Sequence, residues 1–147
     1  MKLEYLMTYK ADLKPPQGVG AAQFGTRAIF DVTGGTFEGP KLKGKILPSG
    51  GDWILFDDKG VGRLDVRATF EADDGALIYV QYFGIVMIDP EKAAGGAESK
   101  FGDAYFMTQP RFETGAESYG WLNNIVAVGE GRSMPNAVEY NVYQLVN

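Results

Sequence analysis

A chain of 147 residues, 45% hydrophobic and 22% charged, can build one domain with a packed core and is too apolar to stay disordered. Its 14 Lys and Arg against 19 Asp and Glu leave a net charge of -5, and with no basic run it is a poor partner for nucleic acid or an anionic membrane. Neither His nor Cys is present, which excludes Ser–His–Asp hydrolysis, thiolate nucleophiles, disulfides and His- or Cys-ligated metals.

The 20 Gly fall between short runs of β-branched and aromatic residues, the pattern of many strands joined by tight turns. Residues 3–13 read as a first strand, closed by Pro15-Pro16. Residues 26–33 read as a second, followed by a glycine-flanked turn from Gly34 to Pro40 and a third strand over 41–47. Ser49-Gly50-Gly51 reads as another turn, 53–56 as a strand, and Asp57-Asp58-Lys59-Gly60 as a hairpin loop.

The clearest signal follows. Arg63, Asp65, Arg67 and Thr69 alternate with Leu64, Val66, Ala68 and Phe70, giving one polar and one apolar face at period two. After Asp73-Asp74-Gly75, residues 76–88 are apolar on both faces, so this strand needs cover on both sides: the interior on one, a partner subunit or covering segment on the other. At 13 residues the run is too short for a spanning helix, and the N-terminus lacks a signal-peptide core, so a cytoplasmic protein is expected. Asp89-Pro90 opens a short helix that Gly95-Gly96 ends. Residues 104–108, 125–128 and 138–146 supply further strands. The expected fold is one all-β domain over 1–147, an antiparallel barrel of roughly eight to ten strands with at most one short helix.

A barrel of this size can hold one small ligand, so the polar residues that reach its interior matter most. Asp52 beside Trp53 is either a desolvated carboxyl suited to acid–base work or the cap of a turn next to a core Trp. Arg67, with Asp65 and Arg63 on its face, either binds an anionic ligand or belongs to a solvated face of ion pairs. Glu113 lies among aromatics, and Trp121 with Asn123 can offer a flat ligand a stacking wall and an amide, or simply form an aromatic core with Asn123 satisfying a loop. Tyr79, Tyr82, Tyr105, Tyr140 and Tyr143 sit in strands, where a hydroxyl can face a cavity or the rim. Glycine clusters at Gly18-Val19-Gly20 and Gly129-Glu130-Gly131 open no βαβ unit, and Asp57-Asp58 and Asp73-Asp74 lack EF-hand spacing, so no nucleotide cofactor and no metal are expected.

Three groups of residues carry a family resemblance. They are the run from Gly34 to Gly44 (Gly34-Gly35-Thr36-Phe37-Glu38-Gly39-Pro40-Lys41-Leu42-Lys43-Gly44) with Gly50-Gly51-Asp52-Trp53; then Asp74-Gly75-Ala76-Leu77-Ile78-Tyr79-Val80; then Tyr105-Phe106, Phe112-Glu113-Thr114-Gly115 and Trp121-Leu122-Asn123. In this order they resemble an uncharacterised protein family, the domain of unknown function numbered 3237, also called uncharacterised protein family 0311. The resemblance covers residues 3–146 and implies a lipocalin-like barrel, usually a homodimer, with no established reaction. This sequence departs from the family over 91–103, which is glycine-rich where relatives are more helical.

The resulting expectation is a pocket for a small, partly aromatic or carbonyl-containing metabolite. An enzyme built on it would be a cofactor-free lyase, isomerase or hydrolase. Glu113 or Asp52 would be the base, Arg67 the anion-binding group, and Tyr82 or Asn123 the donor to an oxyanion, with Trp53 and Trp121 as walls. The alternatives are a non-catalytic carrier or sensor and a structural homodimeric module.

Overall fold

The computed structural model describes residues 1–88 and 98–147; the helix expected at 89–94 lies outside the described residues. The strands are β1 (Lys2–Leu13), β2 (Gln17–Ala22), β3 (Gly25–Glu38), β4 (Lys43–Phe56), β5 (Val61–Ala72), β6 (Leu77–Met87), β7 (Tyr105–Glu113), β8 (Ala127–Met134) and β9 (Ala137–Val146). A 3-10 helix, Glu117–Asn124, joins β7 to β8. The ladders are antiparallel in the order β1-β9-β8-β7-β6-β5-β4-β3-β2, and an added β1–β3 pairing closes the sheet. Eight strands therefore form the ring, and β2 hangs on β3 as an extra edge strand.

Alternation decides what faces inward. Leu64, Val66, Ala68 and Phe70 of β5 are all buried, while Arg63 and Arg67 point outward. On β6, Ile78, Val80, Tyr82 and Val86 are buried, whereas Leu77, Tyr79, Phe83 and Met87 are exposed. The core is rich in rings: Phe37 stacks on Phe70 at 4.9 Å, and Tyr140 meets Tyr9 at 4.9 Å, Phe106 at 5.3 Å and Tyr82 at 5.4 Å.

Two glycine pairs expected as turns instead lie inside strands. Gly34-Gly35 falls within β3, where a Cβ on Gly35 would collide with the Lys10 carbonyl oxygen, so the glycine permits the close β1–β3 approach that closes the barrel. Gly50-Gly51 falls at an irregularity within β4, so the segments read as separate strands over 41–47 and 53–56 are parts of one. β2 was not anticipated, because its Gln-Gly-Val-Gly-Ala-Ala sequence is exposed throughout and has no apolar face.

The ends differ. The 3-10 helix lies at one, with Leu122 buried. Towards the other end, residues 98–103 continue the wall beside β8. The Ser99 N–H donates to the Ser133 carbonyl at 2.9 Å, and Arg132 reaches Glu98 at 3.0 Å and Glu139 at 2.8 Å.

Candidate functional site

The candidate residues do not converge. Asp52 has the inward parity of Ile54, and across the ladders it is in register with Val66 and then Tyr82, both buried. Trp53 and Arg67 lie on the outer wall, where the guanidinium stands 6.0 Å from the indole ring centre and pairs with Asp65 at 3.1 Å. Period two is the cause: a residue next in sequence to inward Asp52 must face out, and Arg67 alternates with the buried apolar set of β5.

Glu113 is also exposed, opposite Tyr79 in the β6–β7 ladder, on the face opposite the buried Phe112. Trp121 and Asn123 belong to the 3-10 helix rather than to a strand, so spacing by two no longer puts them on one face. The Trp121 ring packs against the core beneath the Lys41 ammonium, 5.2 Å from its centre. The Asn123 amide is occupied: its Oδ1 accepts the Thr114 N–H at 2.8 Å and its Nδ2 donates to the Thr114 carbonyl at 2.9 Å. The expectation of one cavity receiving Arg67, Glu113 and Asn123 is corrected accordingly.

The interior keeps Asp52 and Tyr82 and adds Tyr140 and Tyr9. Burial lifts the Asp52 carboxyl from 3.8 to about 7, and the nearby Asp65 charge adds to the rise. The Asp65 N–H opposes it by donating to Asp52 Oδ1 at 3.1 Å. Burial likewise holds the Tyr82 and Tyr140 hydroxyls well above their usual range, and the Asp52 charge contributes to both. These phenols therefore stay protonated through neutral pH, while Asp52 changes state near it. Such a set can exchange a proton at one atom and donate hydrogen bonds to an oxygen gaining charge at another.

Tyr140 is one of the five strand tyrosines of the sequence pattern above; Tyr9 is an addition. It lies in the first strand at the same parity as Met7 and Ala11, and that pattern could have marked it as inward. The outer wall carries a separate feature, a groove of about 550 Å³ lined by residues that include Leu3, Ile85, Tyr105, Met107, Val128 and Tyr143. It lies where β7 and β8 pair only through Met107–Glu130 and Thr108–Gly129.

A closed eight-stranded antiparallel barrel with the Asp52 carboxyl and several phenols on its inward face defines a small β-barrel protein. The chain belongs to the family described as "Protein of unknown function (DUF3237)", whose family model matches residues 1–145. A UPF0311 protein of Rhodopseudomonas palustris (strain TIE-1) is 30% identical over 151 residues, covering 99% of this chain and 97% of the relative. The crystal structure of a beta-barrel like protein from Acinetobacter baumannii is 39% identical, with a TM-score of 0.85 and coverage of 99% and 96% of the two chains. A protein from Penicillium herquei described as an enzyme is 24% identical, with a TM-score of 0.72 and coverage of 97% and 93%, a likeness of fold alone.

Proposed function

We propose that the barrel interior is a small-molecule site in which Asp52 exchanges a proton with a carbonyl-containing, partly aromatic metabolite and Tyr82, with Tyr140, donates to the developing oxyanion. The reading belongs to the cofactor-free lyase, isomerase or hydrolase class. It rests on one arrangement: a half-buried, inward-facing carboxyl raised to about 7, with no cation among its causes, beside buried phenols that keep their protons. Glu113 and Arg67 are left out of the mechanism because both are on the outer wall.

The test is hydrogen–deuterium exchange alpha to the carbonyl across a panel of ketones and aryl esters, using the wild type and Asp52→Asn. The variant keeps the side-chain oxygen that accepts the Asp65 N–H. Loss of at least 100-fold in any exchange found, with the fold intact, supports the reading. An unchanged rate removes Asp52 from the chemistry, and retained binding without exchange supports a carrier instead.

A second reading concerns assembly. Tyr5, Phe83, Met87, Tyr105 and Met107 are exposed on the outer wall, around or near the groove. A contiguous apolar area of this kind suits a homodimer interface. Sedimentation at micromolar concentration tests it, with Met107→Lys expected to give a monomer.

A further inference from the structure

Tyr9 is 1% exposed, yet among the described residues its hydroxyl has no hydrogen-bond partner. A buried hydroxyl left unpaired is unfavourable, and native proteins leave few. The ring is packed against Tyr140 at 4.9 Å and Phe70 at 5.2 Å, with Tyr82 at 6.3 Å, so it cannot swing the hydroxyl out to water. Burial raises the Tyr9 pKa and contact with the Tyr82 hydroxyl adds to the rise, but the two hydroxyls meet short of full hydrogen-bond geometry. Among the described residues this donor has no well-placed acceptor.

The charges of the interior narrow what that acceptor can be. Among the described residues no Lys or Arg is buried. The strand cations pair on the outside: Arg63 with Asp57 at 2.8 Å, Arg67 with Asp65 at 3.1 Å, Lys45 with Glu71 at 3.6 Å. Among the described residues the interior offers phenols, the buried Thr108 hydroxyl and the half-buried Asp52 carboxyl. A ligand carboxylate or phosphate entering it would lose its hydration, gain no counter-charge and face Asp52. A carbonyl oxygen would lose less and would satisfy Tyr9.

Resting on the reading of the interior as a small-molecule site, we infer that it selects an uncharged carbonyl-bearing ligand over a carboxylate of the same size, and that Tyr9 donates the hydrogen bond that holds it. Acetophenone and benzoate are matched probes, and the methyl resonances of Val66, Val80, Ile78 and Val142 report entry. Acetophenone is expected to shift these methyls saturably and to bind at least tenfold more tightly than benzoate. Asp52→Asn should narrow that ratio.

Tyr9→Phe removes the unpaired hydroxyl while keeping the ring. It should raise Tm in the free protein and weaken acetophenone at least threefold. An unchanged acetophenone affinity overturns the role of Tyr9, as does a lower Tm, which would mean the hydroxyl is already bonded to Tyr82 in solution. Benzoate binding as tightly as acetophenone overturns the selectivity and leaves the pocket standing. If neither probe shifts an interior methyl, the small-molecule reading itself falls, and this inference with it.

Discussion

The Asp52 carboxylate accepts the backbone N–H of Asp65 at 3.1 Å, from the neighbouring strand of the barrel wall. That single bond does not offset burial, and the carboxyl remains at about 7 in the fold against 3.8 in the open chain. Below the lower value both states are protonated. Between the two the unfolded chain releases the proton and the native state holds it, so stability falls as pH rises through this window and levels off above it. The total is on the order of 4 kcal/mol from a shift of about 3 pH units. Denaturant melts from pH 4 to 8 should show this slope in the wild type and a flatter profile in Asp52→Asn. A wild-type stability that rises across the window would contradict a raised carboxyl at Asp52.

Asn123 is a clamp on Thr114. Its amide makes both backbone bonds of that residue, while the Thr114 hydroxyl donates to the Leu77 carbonyl at 2.7 Å and accepts the Ala116 N–H at 3.1 Å. Asn123→Ala leaves a buried amide and carbonyl without their partner and should cost about 1–3 kcal/mol. The Asp52 titration should not move, since the clamp sits at the 3-10 helix. Equilibrium denaturation with carboxyl NMR checks both, and full stability in the variant would deny the clamp.

Asp57, in the turn that follows β4, shows the opposite shift to Asp52 within that strand. The Arg63 guanidinium at 2.8 Å holds its carboxyl below the usual range, assisted by the Val61 N–H at 3.0 Å and the Lys59 N–H at 2.9 Å. Its stabilising effect is therefore present above the ordinary carboxylate range and lost as pH falls through the lowered value. In Arg63→Gln the Asp57 carboxyl should titrate at higher pH while staying below the usual range, because both amides still donate. No upward movement in a carbon-detected titration would show that the amides alone set it.

What the sequence reveals here is whatever period two encodes. The alternation of Arg63 to Phe70 announces a half-buried strand, and the doubly apolar run over 76–88 announces a strand with a second apolar face, which β6 leaves exposed. Glycine is where reading fails, because the same residue serves turns and close strand contacts. Gly34-Gly35 and Gly50-Gly51 look like turns, yet they sit inside strands, Gly35 against a carbonyl of β1 and Gly50 against one of β5. The site suffers from the same ambiguity. Asp52 follows an irregular stretch of β4, so counting parity from the preceding apolar residues does not tell which way it faces. Trp121 and Asn123 belong to a helical turn that no apolar periodicity in Glu117–Asn124 announces.

Gly50 links that irregularity to the chemistry. Its φ is +89°, and a Cβ there would collide with the carbonyl oxygen of Arg67, a backbone atom that cannot give way without parting β4 from β5. Asp52 and its Asp65 bond lie just beyond. Gly75 is the control, with a φ of +88° and nothing within 4 Å of the added carbon. Gly75→Ala should cost only the left-handed backbone penalty, roughly 1–2 kcal/mol. Gly50→Ala should cost more and should also lower the Asp52 pKa, because opening the ladder admits water to the carboxyl. Stability and carboxyl titration of the two variants separate the effects. Equal losses, with Asp52 still at about 7 in both, would mean that β4 absorbs the collision without moving the carboxyl.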